Sequence, residues 1–451
     1  MNQNLLRFIP QFIRIRLQGR HYLQKIIANT SWLFIDRILR MGVSVFVMTW
    51  VARYLGPERF GILNYSSAFV GIFSVFVNLG LDSIVIRDIV RDIACKDETL
   101  GTTFVLKALG GALTLLLSVG VVRFMHPEDI LTQWLVGIIA MGVIFQSLDV
   151  IDMWFQSQVM SKYVIYVKSS SYLIMSIVKV GAILLRAPLM VFACITSIEL
   201  VLGAVGLLFV YWVNGQSIKE WSIRWERVKS LLHDCWPLIL SSISIVIYMR
   251  IDQIMLRELA SDKDVGNYSV AVRMVEMWYF IPMLLTASLF PAIINSKKLS
   301  PEIYEARMQR LYDLMVWMSI IFAVFISFSS KYIIYILFGD KYSGAAPVLS
   351  LQCWMAVSVF FNVARSQWLI VEGFQKDNLK KNILGCFINI VLNFIFIPKY
   401  GAIGATFASL LSMAGANSLI LIISKPMRYT AKMYFKSFML PIRLITKMLA
   451  A

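Results

Sequence analysis

Apolar residues run along this chain in blocks of about twenty, separated by short polar stretches rich in Gly, Pro, Lys and Arg. The first two blocks, 31–51 and 60–80, are each long enough to cross a hydrocarbon core of about 30 Å as a helix. Between them a Gly56-Pro57 pair stops one helix and Gly61 opens the next. Further blocks follow at 104–122, 130–153, 165–185, 189–212, 236–256, 271–294, 311–330, 347–371, 382–397 and 402–423. The pattern predicts an all-α, polytopic membrane protein of about twelve spans. The block 382–397 is the shortest and ends at Pro398.

Composition agrees with lipid as the solvent. Of 451 residues, 59% are hydrophobic and 15% charged, too apolar and too sparsely charged for a soluble domain. The net charge of +17 comes from Lys and Arg placed between the apolar blocks, the distribution of a cytoplasmic membrane face rather than of a nucleic-acid binder. No nucleic-acid partner is expected. Alternating the loops from a cytoplasmic start puts most of these residues on one side, with both termini and the loop 214–234 cytoplasmic and Gly56, Lys263 and Gly339 outside. Residues 1–30 and 424–451 carry Arg and Lys among Leu, Ile, Phe and Met, and each reads as a basic amphipathic segment on the inner membrane surface.

A repeat crosses the chain. Arg53-x-Leu55, Glu58-Arg59, Gly61 and Asn64-Tyr65-Ser66-x-Ala68 recur as Arg257-x-Leu259, Asp262-Lys263, Gly266 and Asn267-Tyr268-Ser269-x-Ala271. The copies follow the first and seventh spans, so each half holds an even number of spans in the same orientation. Two six-helix lobes are expected, 31–212 and 235–423, joined by a cytoplasmic loop 213–234, with a cavity between them.

Several catalytic and energetic classes lack their residues. There is no Gly-x-x-x-x-Gly-Lys loop for nucleotide phosphates and no His-Glu-x-x-His or Cys/His cluster for a metal. His21, His126 and His233 stand apart, and the five cysteines are neither paired nor at metal-ligand spacing. The expectation is a non-enzyme with no catalytic residue, metal or cofactor.

What stands out is charge inside the spans: Arg37, Arg40, Lys107, Lys168, Lys179, Arg250, Arg273 and Arg365 against Asp36, Glu199, Asp252 and Glu276. Each costs about 2.5–3.5 kcal/mol at mid-membrane, so these groups must face protein or water. Asp36 with Arg40 and Arg273 with Glu276 are spaced to pair along one helix face. Lys107 and Lys168 sit near helix ends, where a lysine snorkels to the interface. The excess of cations suits an anionic cargo. Candidate cargo-binding residues are Arg37, Arg40, Lys179, Arg250, Arg273 and Arg365; candidate ion-coupling residues are Asp36, Asp252 and Glu276.

Three stretches resemble a known family. Asp36-Arg37-x-x-Arg40 followed by RYLGPERFGILNY, then EMWYFIPMLLTASLFPAI at 276–293 and INIVLNFIFIPKYGAIGATFASLLS at 388–412, are similar to the Wzx-type polysaccharide-unit flippases of the multidrug/oligosaccharidyl-lipid/polysaccharide exporter superfamily. The resemblance covers nearly the whole chain and implies a MATE-like fold of two six-helix lobes. It implies as cargo an oligosaccharide unit on undecaprenyl pyrophosphate, flipped across the bacterial cytoplasmic (inner) membrane for O-antigen, capsule or another exopolysaccharide. It also implies proton or sodium coupling, with a polysaccharide polymerase and a chain-length regulator as further partners. A multidrug cation antiporter of the same fold would want an acidic cavity, and a non-transporting envelope-assembly scaffold would pair every intramembrane charge.

Overall fold

The computed structural model describes residues 21–298 and 300–449, with side chains from Arg37 onward apart from a few positions. The surface segment expected over 1–30 lies for the most part outside the described residues, as does the side chain of Asp36. Among the described residues every regular element is a helix. They are α1 (His21–Phe73), α2 (Val75–Asn78), α3 (Asp82–Arg91), α4 (Lys96–Met125), α5 (Ile130–Ile144), α6 (Val150–Ser157), α7 (Lys162–Leu184), α8 (Leu189–Val213) and α9 (Trp225–Leu259), then α10 (Asp262–Glu276), α11 (Phe280–Ser296), α12 (Pro301–Phe338), α13 (Ala345–Gln352), α14 (Met355–Val371), α15 (Gln375–Ile423), α16 (Lys425–Phe438) and α17 (Leu440–Leu449). Short 3₁₀ turns join several of them.

Nine helical stretches among the described residues are long and apolar enough to cross a membrane, and the chain is a polytopic membrane protein. Two of the nine hold two expected spans each, because α1 breaks at Gly56 (φ 74°, ψ 167°) and α15 at Gly401 (φ 52°, ψ −131°). The seventh expected span falls within α9. Gly56 has a backbone that L side chains rarely adopt, and Pro57 restarts the helix at its first position. Other starts are equally local: Ser261 accepts from the amide of Asp264, and Ser300 and Ser424, each followed closely by proline, accept from Ile303 and Met427.

Two compact units make up the chain: 1–51 with 69–242, and 52–68 with 243–451. These differ from the expected lobes at two places. The connecting stretch 213–242 belongs to the first unit because its polar groups are held there. Arg227 Nη2 donates to Asp88 Oδ2 (2.8 Å) and Thr99 Oγ1 (3.1 Å), Trp221 Nε1 to the Tyr211 hydroxyl (3.1 Å), and Arg87 Nη2 to Asp234 Oδ2 (3.1 Å). Residues 52–68, the first copy of the repeat, belong to the second unit and pack on the second copy. A Cβ added at Gly61 would lie 1.8 Å from the Asp262 carbonyl oxygen, and one at Gly266 would lie 2.0 Å from that of Pro57. Backbone meets backbone reciprocally, as small residues permit in membrane helices. Around this seam Tyr65 donates to Glu258 Oε1 (3.1 Å), Tyr268 to Asp252 Oδ2 (2.5 Å), and Tyr342 to the Ala52 carbonyl (2.9 Å). The two tyrosines that correspond in the repeat thus each bind a carboxylate of α9.

A second correspondence is structural. The ends of α6 and α14 have matching closures: Met160 N donates to Phe155 O across Val159 (φ 55°), and Phe374 N to Leu369 O across Gly373 (φ 79°). Trp154 and Trp368 occupy the same place, five residues before each positive-φ residue, and both are buried. The first unit's core gathers Leu81, Val85, Val150, Phe155 and Tyr211; the second's gathers Met308, Tyr312, Phe360, Phe361 and Trp368. The basic tail forms α16, whose Thr430 and Ser437 face inward while Lys425, Lys432 and Lys436 remain exposed. Trp317 Nε1 donates to Ser437 O (2.8 Å), and Gln309 Nε2 to Met433 O (3.0 Å). The tail is therefore packed on the second unit as well as basic on its outer face.

The glycine seam predicts a sharp asymmetry among glycines. Gly61→Ala or Gly266→Ala should destabilise the purified protein in detergent by about 1–3 kcal/mol, the range for overpacking. Gly120→Ala, whose Cβ would meet nothing within 4 Å, should be neutral or stabilising by up to about 1 kcal/mol. Thermal unfolding followed by tryptophan fluorescence decides it; equal effects at 61 and 120 would refute the packing assignment.

Candidate functional sites

In the first unit α1, α6 and α7 surround a cavity of about 240 Å³ lined by Arg40, Asp152, Gln156, Ser161, Val164, Ile165 and Lys168. Arg40 donates to Ser169 Oγ (3.3 Å) and stands 5.8 Å from the Tyr172 ring centre. Lys168 does not snorkel: its ammonium joins Asp149 Oδ1 (2.9 Å) and Asp152 Oδ2 (2.8 Å), while Gln156 donates to the other Asp152 oxygen (2.9 Å). The wall therefore alternates fixed donors and acceptors beside two aliphatic side chains. Such a wall suits a polar, hydroxyl-bearing group.

Other expected charges of this unit are internal pairs. Lys179 meets Glu199 Oε2 at 2.9 Å. Lys107, expected to snorkel, is 2% exposed and meets Asp82 Oδ1 at 3.2 Å. Arg37 is exposed on α1, and among the described residues it has neither an ion pair nor a hydrogen-bonding side-chain partner.

The second unit holds a different arrangement. Asp252, two turns before the C-terminus of α9 and 4% exposed, accepts from Tyr268 (2.5 Å), from Ser409 Oγ (2.6 Å) and from Asn393 Nδ2 (2.7 Å). Asn389 and Asn393 are linked to each other (3.1 Å), and Asn389 reaches Ser409 (3.2 Å). Every donor is neutral, and no cation pairs with Asp252 among the described residues. Asn393 Oδ1 is buried without a partner beside it. The group is one buried carboxylate ringed by a phenol, a hydroxyl and an amide that donate to it, with one further amide oxygen left unpartnered.

The remaining candidates are spread out. Arg250 is half-buried on α9, and among the described residues its side chain makes no ion pair and no hydrogen bond. Arg273 is exposed on α10, and Glu276 is half-buried, within electrostatic reach of Tyr268 and Tyr279. Arg365 is 2% exposed, inside the core of the unit. The structure thus brings Asp252 together with residues that are not among the charged candidates of the sequence. Asn389, Asn393 and Ser409 are uncharged, and the available signal was an Asn-x-x-x-Asn spacing that puts two amides on one face of an otherwise apolar helix. All three lie in the stretch 388–412, the third of those that carried the family resemblance.

A family model described as "Polysaccharide biosynthesis protein" matches residues 26–297, and one described as MatE matches residues 237–395. The "Probable low-salt glycan biosynthesis flippase Agl15" of Haloferax volcanii is 23% identical over 395 residues, 85% of this chain and 80% of that protein. The "Uncharacterized membrane protein MJ1068" of Methanocaldococcus jannaschii is 28% identical over 168 residues, 34% of this chain; the match spans about a third (31%) of that protein. Among solved structures, an inward-facing multidrug resistance MATE family transporter of the MOP superfamily has a TM-score of 0.69 at 15% identity, covering 86% of this chain and 98% of that one. The lipid II flippase MurJ, in an inward closed conformation, has a TM-score of 0.63 at 16% identity, covering 93% of both chains. These structures establish the MATE-like fold. With the polysaccharide biosynthesis model spanning well over half of its length, the chain belongs to that family, as a multi-pass membrane protein.

Proposed function

We propose that this protein is a flippase that carries a lipid-linked glycan, held through its phosphate or pyrophosphate group, across the membrane in which it sits. The finer reading is an oligosaccharide unit on undecaprenyl pyrophosphate, moved across a bacterial cytoplasmic membrane to supply a surface polysaccharide. Membership of a polysaccharide biosynthesis family and similarity to a glycan biosynthesis flippase support the class of cargo. The observation that carries the reading is that Arg37 and Arg250, on matching helices of the two halves, lack anionic partners among the described residues. A diphosphate headgroup in bare hydrocarbon would cost tens of kcal/mol, and arginine's planar fork matches phosphate oxygens two at a time. A cation exporter of the same fold would be served by free carboxylates at these places instead.

Coupling to an ion is assigned to Asp252. A buried carboxylate ringed by neutral donors needs a proton or a metal cation when its surroundings close, and Asn393 Oδ1 supplies an additional unpartnered oxygen. Of the two carboxylates singled out in the sequence whose side chains are described, Asp252 is enclosed and Glu276 only half-buried. The absence of a nucleotide-binding loop in the sequence leaves a gradient, or consumption of the product, as the driving force.

Two outcomes are expected. In a strain lacking its own flippase, Arg37→Ala and Arg250→Ala should each reduce surface glycan by roughly tenfold or more, because a charged hydrogen bond is worth about 1.5–3 kcal/mol. Lysine should restore part of the loss; variants that reach the membrane in normal amounts and export at the wild-type level would sink the assignment. In proteoliposomes supplied with a lipid-linked oligosaccharide, Asp252→Asn should abolish acceleration by an imposed proton or sodium gradient while leaving gradient-free exchange in place. Identical gradient responses in the variant and the wild type would overturn the coupling role.

A further inference from the structure

The second unit buries a second uncompensated charge, of the opposite sign. Arg365 of α14 and Lys381 of α15 are 2% and 8% exposed, and neither forms an ion pair among the described residues. Arg365 Nη2 donates to the side-chain oxygens of Asn362 and Asn417, the latter at 2.8 Å, and its guanidinium stands 5.2 Å from the Phe361 ring centre. All these partners are neutral. Its Nε is buried without an acceptor, and the hydroxyl of Tyr312, within electrostatic reach of Arg365 and fully buried, is also unpartnered. Lys381 makes no hydrogen bond among the described residues, and the charge that acts on it is that of Arg365, a second cation.

The carboxylates that could have answered are engaged or out of reach. Glu372 at the end of α14 takes the Lys297 ammonium (2.8 Å) and the Tyr304 hydroxyl (3.2 Å), and Asp313 takes Arg443 (2.7 Å). Asp377, one turn before Lys381, is not within ion-pair distance of it. Two buried cations without an anion cost several kcal/mol each.

We propose that Arg365 and Lys381, with the Tyr312 hydroxyl, form a binding site for a small dehydrated monoanion of the halide class. The donors are Arg365 Nε, the Lys381 ammonium and the phenol. Tyr312 lies in the unit's core with Phe361 and Ala364, Arg365 stands over Phe361, and Lys381 is 8% exposed, so the anion must shed most of its water. That dehydration is far cheaper for a singly charged halide than for a phosphate, whose many acceptor oxygens would outnumber these donors. Arg365, a cargo-binding candidate by sequence, is here assigned to this site instead; the site shares no residue with Arg37, Arg250 and Asp252 and stands whether or not the proposed function holds.

The test is thermal unfolding of the purified full-length protein in detergent at constant ionic strength, with gluconate replaced stepwise by chloride or bromide. The expected result is a midpoint that rises by a few degrees and saturates with halide, as for a ligand that binds only the folded state. Lys381→Met, which removes one uncompensated charge at similar volume, should lose the halide increment and unfold in gluconate no lower than the wild type. Sulfate serves as the control for general salt effects and should give no saturating increment. A wild-type midpoint equal in gluconate and chloride would overturn the proposal, as would a halide increment that persists in Lys381→Met or is reproduced by sulfate.

Discussion

A charge placed among membrane-spanning helices must be answered, because hydrocarbon offers neither counter-ions nor water. This constraint sorts the charged side chains of the protein into three groups. Some are answered within the fold: Lys179 by Glu199, Lys107 by Asp82, and Lys168 by two aspartates. Some are answered by neutral dipoles alone, as Asp252 is by a phenol, a hydroxyl and an amide, and Arg365 by two asparagines. Arg37 and Arg250 are answered by no described side chain. The first group stabilises helix contacts and has little left to offer a ligand. The second and third groups keep charge that no opposite charge answers among the described residues, and the proposals above rest on it.

The same solvent governs how the helices meet. Lipid tails are as apolar as leucine, so helix association draws on close packing and interhelical hydrogen bonds rather than on water release. The reciprocal approach at Gly61 and Gly266 supplies the packing, with carbonyl oxygens where a methyl group would have to go. The tyrosines beside these glycines supply the hydrogen bonds, one to Glu258 and the other to Asp252. The repeat therefore has a structural purpose: the two copies are made to pack on each other. Tyr268 also ties this seam to the Asp252 site, so the residues that hold the second unit together also shape its polar centre.

Much of this was legible in the sequence. Block length and the Gly-Pro break at 56–57 gave the spans and the first kink, and the repeat identified the two segments that pack together. Their mutual contact could not be read, because a repeat records kinship between two segments and says nothing about which surfaces touch. Charge inside apolar blocks drew attention to Asp252, Arg365 and Lys179 but could not separate paired from unpaired groups. The separation depends on residues far away in sequence, such as Glu199 for Lys179 and Ser409 for Asp252. Lys381 escaped notice because it lies at the edge of a block, one of two adjacent lysines of which Lys380 is exposed. Its burial is a property of the packing of α15 on α14.

The Asp252 site and the Arg365–Lys381 pair are joined by α15, which contributes Lys381 to one and Asn389 and Asn393 to the other. Twelve residues of helix separate Lys381 from Asn393, a rise of roughly 18 Å at about 1.5 Å per residue. At such a distance two unit charges interact by about 1 kcal/mol for an effective dielectric constant of about 20. With Asp252 ionised and empty, its negative charge partly satisfies the distant cations. Once a proton or metal cation neutralises Asp252, that attraction is lost and the cations hold an anion more tightly, by roughly fivefold for about 1 kcal/mol of coupling energy. Linkage requires the reverse as well: an anion at Arg365 and Lys381 removes part of the positive potential that favours ionised Asp252, and so strengthens binding of the cation. On the two proposals made above, the second unit takes up a cation and an anion together, and its net charge changes little as it does so.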